Sequence, residues 1–122
     1  MNDYKKCIVM VDDEPGACDF VKSFLEERGY TVHVAFNGDD GIALIKEKNP
    51  VLVFLDIRMP GKNGAVVLEE LRKDDPELKV VIMTGLEEGE LLDKVKELGA
   101  TDILAKPVQL LELSKIVKEY IS

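Results

Sequence analysis

Short apolar runs alternate along this chain with stretches in which apolar residues recur every three or four positions. Cys7-Ile8-Val9-Met10-Val11 and Val51-Leu52-Val53-Phe54-Leu55 are continuous apolar runs, the pattern of strands buried on both faces of a parallel sheet. Lys79 to Met83 is a third such strand, Thr31 to Ala35 alternates β-branched and apolar residues, and Asp102 to Ala105 is a shorter fifth. Between them the period changes. Pro15 fits the first turn of a helix with an acidic residue before it as cap, and Ala17, Phe20, Val21, Phe24 and Leu25 form one face up to a stop near Arg28-Gly29. Asn37-Gly38 opens a helix carrying Ile42, Ala43, Leu44 and Ile45, ended by Asn49-Pro50. After a loop from Ile57 to Asn63, a third helix turns Val67, Leu68 and Leu71 inward and closes at Asp74-Asp75-Pro76. Gly85 to Gly89 reads as a loop, Leu91, Leu92, Val95 and Leu98 as a short helix ending at Gly99, and Leu110 to about Tyr120 as the last helix, with Leu113, Ile116, Val117 and Tyr120 on one face.

Strands and helices thus alternate five times, with no Pro/Gly/Ser-rich linker and no repeat. Strict alternation implies parallel strands, right-handed crossovers and helices on both faces of the sheet, an α/β fold. The 122 residues make one domain, 1–122, long enough to bury roughly two-thirds of the surface of the unfolded chain. No apolar run approaches the roughly 18 to 20 residues of a membrane span, so no membrane insertion is expected. A five-residue apolar stretch near the start is also too short for a signal peptide, and the protein is expected to be cytoplasmic. Cys7 and Cys18 lack metal or redox spacing and read as buried thiols. A net charge of −8 argues against direct nucleic-acid binding and suits a bound Mg²⁺ or a basic partner.

Chemistry enters where the strands end. Asp12 and Asp13 follow the first strand, Asp56 the third, Thr84 the fourth and Lys106 the fifth. In a sheet of order 2-1-3-4-5, strands one and three are neighbours at the switch point, and the three carboxylates meet in one crevice. Clustered carboxylates repel and need a cation to stay ionised. Oxygen ligands that leave room for water and a phosphoryl oxygen favour Mg²⁺ over Zn²⁺. Lys106 adds a positive charge and Thr84 a hydroxyl, the equipment for holding a transferring phosphoryl group. The only histidine, His33, sits in the second strand away from this edge, so the nucleophile has to be a carboxylate. Asp56 is the best candidate, because the adjacent Asp12 and Asp13 are better placed to hold metal.

Four segments together, Val11-Asp12-Asp13-Glu14, Leu55-Asp56-Ile57-Arg58-Met59-Pro60-Gly61, Met83-Thr84-Gly85 and Ala105-Lys106-Pro107-Val108, resemble the response regulator receiver domain of two-component signalling, and the resemblance runs over essentially the whole chain. It implies a flavodoxin-like, doubly wound parallel sheet of five strands with five helices. It further implies that Asp56 accepts phosphate from a sensor histidine kinase or phosphotransfer protein, and that Asp13, Asp56 and the backbone carbonyl of Arg58 ligate Mg²⁺, with Asp12 acting through water. Thr84 and Lys106 would bind the phosphoryl oxygens, and the Lys106-Pro107 peptide would be cis. Arg58 and Leu86 stand where the family varies its dephosphorylation rate. The sequence departs from the family at Ile103, where a Tyr or Phe usually swings inward on phosphorylation, and at Gly85, where Ala is commoner.

The implied protein is a phosphoacceptor switch rather than a turnover enzyme, passing its state to a downstream effector. The family's output face, helix four, strand five and helix five, would take in the acidic stretch Glu87-Glu88-Gly89-Glu90, which otherwise reads as a solvated helix start. Receivers often dimerise there, which leaves monomer and homodimer both open. Two other classes stay open beside the switch: an aspartate-nucleophile phosphatase, which would want an acid where Arg58 stands, and a phosphate-independent interaction module, suggested by Ile103. Met1 just before the first strand points to a natural start, and the end at Ser122 fits either a stand-alone regulator or a receiver cut from a longer protein.

Overall fold

In the computed structural model, which describes residues 6–85 and 89–121, strands and helices alternate as β1 (Cys7–Val11), α1 (Pro15–Glu26), β2 (Thr31–Ala35), α2 (Gly38–Lys48), β3 (Leu52–Asp56), α3 (Gly64–Asp74), β4 (Val80–Thr84), α4 (Gly89–Glu97), β5 (Asp102–Ala105) and α5 (Leu110–Tyr120). The strands form one sheet in the order β2-β1-β3-β4-β5, every neighbouring pair parallel. This is the flavodoxin-like arrangement, with the order reversing between β1 and β3.

The continuous apolar runs follow from the two helical layers. Val9, Val11, Val53, Leu55, Val80 and Ile82 face a core completed by Ile42, Ile45, Val67, Leu68, Leu71 and Val95 from α2, α3 and α4. Their strand neighbours Ile8, Met10, Leu52, Phe54, Val81 and Met83 face the opposite core, with Cys18, Val21, Leu25, Leu113, Ile116 and Val117 from α1 and α5. Successive side chains of a strand point to opposite faces, so a strand covered on both faces has no polar position until it leaves the sheet. All of β1, β3 and β4 is buried, including the last residue of β3, Asp56.

Several expectations are corrected in detail. The buried seam of α1 is Cys18, Val21 and Leu25; Phe20, one residue before Val21 and so rotated by about 100°, is 47% exposed. Glu14 occupies the N-cap of α1 but makes no side-chain cap bond. Ala43 is exposed on α2, and Val95 is the one buried residue of α4, with Leu91, Leu92 and Leu98 half-buried. β3 starts at Leu52 rather than Val51, and β4 runs from Val80 through Thr84. Leu86, Glu87 and Glu88 fall outside the described residues, as does Met1. Both cysteines are buried and unpaired.

Two loops hold the site in place. Asn37 caps α2 by accepting from the Asp40 N–H at 2.8 Å, and Asn63 caps α3 by accepting from the Val66 N–H at 3.1 Å. Between those helix starts, the Lys62 ammonium reaches Asp39 at 2.7 Å and Glu70 at 2.9 Å. The turn after β3 closes on Gly64, whose N–H donates to the Ile57 carbonyl. A β-carbon on Gly64 would lie 2.7 Å from the Asp56 carbonyl oxygen and 2.8 Å from the Ile57 α-carbon. Backbone cannot yield as a side-chain tip can, so Gly64→Ala is expected to lower stability by about 1–3 kcal/mol. A urea titration measures this, and an unchanged midpoint would mean that the loop has slack.

Candidate functional site

Each functional side chain sits at the carboxyl end of a strand, where the ladder stops and the chain turns outward. Asp12 follows β1 directly, its N–H donating to the Ala35 carbonyl of β2 at 3.1 Å. Asp56 closes β3, and the next residue continues the pairing as the Ile57 N–H donates to the Met83 carbonyl. Thr84 closes β4, and the Lys106 N–H donates to its carbonyl at 2.8 Å. Strand register therefore brings residues far apart in sequence to one edge of the sheet.

Asp12, Asp13 and Asp56 each offer a carboxylate oxygen, and these oxygens lie within 4.8 Å of one another. Asp12 is wholly buried and Asp56 is 4% exposed, whereas Asp13 is open to solvent. Lys106 stands among them. Its ammonium is 3.0 Å from Asp12 Oδ2, 3.5 Å from Asp56 Oδ2 and 3.5 Å from Glu14 Oε1. The other Asp12 oxygen accepts the Glu14 N–H at 3.0 Å. Burial and the neighbouring Asp12 charge push the Asp56 carboxyl up to about 6, against the opposing pull of Lys106 and the Arg58 backbone N–H. For Lys106, burial presses the ammonium toward neutrality, but the Asp12 hydrogen bond and the Asp56, Asp12 and Glu14 charges outweigh it and leave its pKa raised.

This donor set fits a hard divalent cation. It consists of oxygens alone, one of the three carboxylates faces solvent, and the buried pair carries more negative charge than one ammonium neutralises. Arg58 lines the same cavity of about 630 Å³ as Asp12, Asp56, Gly85 and Lys106. Thr84 is buried, with its hydroxyl donating to the Gly85 carbonyl at 2.6 Å.

The sequence-derived residues therefore assemble at one edge: Asp12, Asp13 and Asp56 with their carboxylates close together, Lys106 against Asp12 and Asp56, Arg58 on the cavity wall and Thr84 on the adjoining strand. Lys106-Pro107 is cis. His33 lies half-buried in β2, an edge strand. Three features went unread in the sequence. Glu14, expected as a cap, turns its carboxylate toward Lys106 instead. The Cys18 thiol donates to the Asp12 carbonyl at 3.4 Å. Ala17, Phe20, Pro107 and Val108 give the cavity an apolar wall. None of these left a signal in the sequence, since Phe20 fits the apolar period of α1 and its exposure is seen only once the helix is packed.

The family model for the response regulator receiver domain matches residues 8–118. Among solved structures, the receiver domain of NtrX from Brucella abortus is 34% identical with a TM-score of 0.86, over 93% of this chain and 97% of that one. A CheY-like response regulator receiver domain protein from Methanospirillum hungatei is 32% identical with a TM-score of 0.90, over 95% of this chain and 93% of that one. In a longer NtrX structure from Brucella abortus, 33% identical with a TM-score of 0.86, the match takes in 94% of this chain and 26% of the other. Among the described residues no helix is long and apolar enough to cross a membrane.

Proposed function

Because the chain belongs to the response regulator receiver domain family, we propose that it is a Mg²⁺-dependent phosphoacceptor switch, one receiver domain over residues 1–122, with Asp56 as the phosphorylated residue. The observation that carries this reading is the convergence of Asp12, Asp13, Asp56 and Lys106 at the carboxyl ends of β1, β3 and β5.

A carboxylate oxygen of Asp56 attacks the phosphorus of a phosphohistidine on a sensor histidine kinase or phosphotransfer protein. The new P–O bond makes an acyl phosphate, the P–N bond breaks, and the imidazole leaves with a proton. Mg²⁺, held by Asp13, Asp56 and the Arg58 carbonyl with Asp12 reaching it through water, would neutralise charge on the phosphoryl oxygens. Lys106, already among the carboxylates, turns from Asp12 toward the phosphoryl group. Thr84 has to give up its bond to the Gly85 carbonyl to donate to a phosphoryl oxygen, and that movement starts the response in the adjoining loop. The modified domain then changes its affinity for a downstream effector through α4, β5 and α5. Ile103 on β5 packs against the core beneath α2, α3 and α4, so the relay proceeds without a swinging aromatic ring. A cytoplasmic location and a homodimeric option on the same face complete the reading.

Incubation with acetyl phosphate is expected to load at most one base-labile phosphoryl group per chain in Mg²⁺ and none in excess chelator. Sustained turnover of a phosphate ester, with no phosphoryl group retained on the chain, would point to a phosphatase and sink the switch.

A further inference from the structure

On the face of the molecule opposite α2, α3 and α4, the end of α1 and the end of α5 leave a cavity of about 320 Å³, lined by Phe24, Arg28, Tyr30, Ser114 and Lys118 among others. This is within the lower range of small-ligand sites. Leu25 and Val117, both buried, also line it.

Its polar groups are all donors or cations. Arg28 is exposed but oriented by its neighbours: its guanidinium donates to the Phe24 carbonyl at 3.0 Å and lies 3.6 Å from the centre of the Phe24 ring. Held this way, it still has N–H groups left over for an acceptor. Lys118 forms no ion pair among the described residues. The hydroxyls of Tyr30 and Ser114 have no hydrogen-bond partner among the described residues. A third cation stands close by, since Lys6 Nζ is 3.8 Å from where a β-carbon on Gly29 would be. The acids nearest in sequence do not quench these charges. The Glu26 carboxylate accepts the Val32 N–H at 3.5 Å, and neither Glu27 nor Glu119 forms an ion pair with Arg28 or Lys118 among the described residues.

We propose that this cavity binds a small anion, with a phosphate or carboxylate group seated between Arg28 and Lys118 and accepting from the Tyr30 and Ser114 hydroxyls. Charge-assisted hydrogen bonds of this kind are the strong ones, and a planar guanidinium suits either oxyanion. The cavity is separate from the cluster around Asp56, so the inference stands or falls independently of phosphoryl transfer.

The test is an NMR titration of the metal-free protein with inorganic phosphate, with succinate in a second arm and sodium chloride at matched ionic strength as control. The expected result is a saturating shift of the Gly29, Tyr30 and Ser114 amides, half-complete at or below about 1 mM in at least one arm and absent with chloride. A response in the phosphate arm alone assigns a phosphate ligand, and a response in both assigns the site to oxyanions generally. The Arg28→Gln/Lys118→Gln double variant, altered only at exposed side chains, should keep its unfolding midpoint and bind at least about tenfold more weakly. Shifts that never saturate, that chloride reproduces, or that persist unchanged in the double variant would overturn the proposal.

Discussion

Asp56→Asn is expected to bring phosphoryl capture down to background while making the metal-free protein more stable. The first effect follows from losing the nucleophile, since the amide oxygen of Asn carries no charge to attack phosphorus. The second follows from the position of Asp56 in the carboxylate cluster. Buried at the end of β3 and facing Asp12, its carboxyl is pushed up to about 6 from an ordinary 3.8. Above pH 6 the group is ionised in both folded and unfolded chains, and the fold carries the penalty. A shift of this size corresponds to about 1–3 kcal/mol, which the neutral amide relieves. The sign over pH follows. Because the folded pKa is the higher one, the stabilising contribution of Asp56 is complete below about 3.8 and is lost as pH rises through about 6. Urea midpoints in chelator should therefore show the variant ahead of wild type at pH 7.5, with the gap closing as pH approaches 4. A variant that is less stable at pH 7.5 would mean that the cluster is better compensated than its geometry indicates.

Lys106→Met should act in the opposite direction. Methionine retains much of the apolar stem but removes the one ammonium that lies 3.0 Å from Asp12 and 3.5 Å from Asp56. Leaving a buried charge without its partner costs several kcal/mol. Here the cost has a ceiling, because the carboxylates can escape by taking up a proton. At pH 7 that is about 3 units above the ordinary Asp value, or about 4 kcal/mol. A loss of about 2–4 kcal/mol in chelator is expected. Mg²⁺ at about one hundred times its dissociation constant should return about 2.7 kcal/mol. Thermal or urea unfolding with and without Mg²⁺ measures both. A variant as stable as wild type in chelator would show that solvent, not Lys106, compensates the carboxylates.

How much of this was legible in the sequence depended on what each signal reports. The bounds of β1, β2, β5 and α5 were legible: two-sided burial leaves β1 as an uninterrupted apolar run, and the Gly and Pro of the flanking turns delimit the edge strands β2 and β5. Site residues were legible for a related reason: Asp12, Asp56, Thr84 and Lys106 are abrupt polar groups at the ends of apolar strands, and alternation alone puts those ends on one edge. Contacts that depend on rotation and reach were not legible. Phe20 matches the helical period as well as Val21 does, and only packing against the sheet shows that the seam runs through Cys18 instead. Glu14 has the right type and place for a cap, but Lys106, 92 residues later in the numbering, draws its carboxylate away. The cavity between α1 and α5 leaves no motif, since its residues come from two helix ends and a turn that the chain brings together late.

The central claim, that Asp56 is the phosphorylated residue, is tested most directly by locating the phosphoryl group. The protein is loaded with acetyl phosphate in Mg²⁺, the acyl phosphate is reduced with borohydride, and the peptides are read by mass spectrometry. The account predicts that Asp56 alone is converted to homoserine, and only when both donor and Mg²⁺ are present. Conversion at Asp12 or Asp13 with Asp56 untouched, or loading without any trapped acyl phosphate, would contradict it.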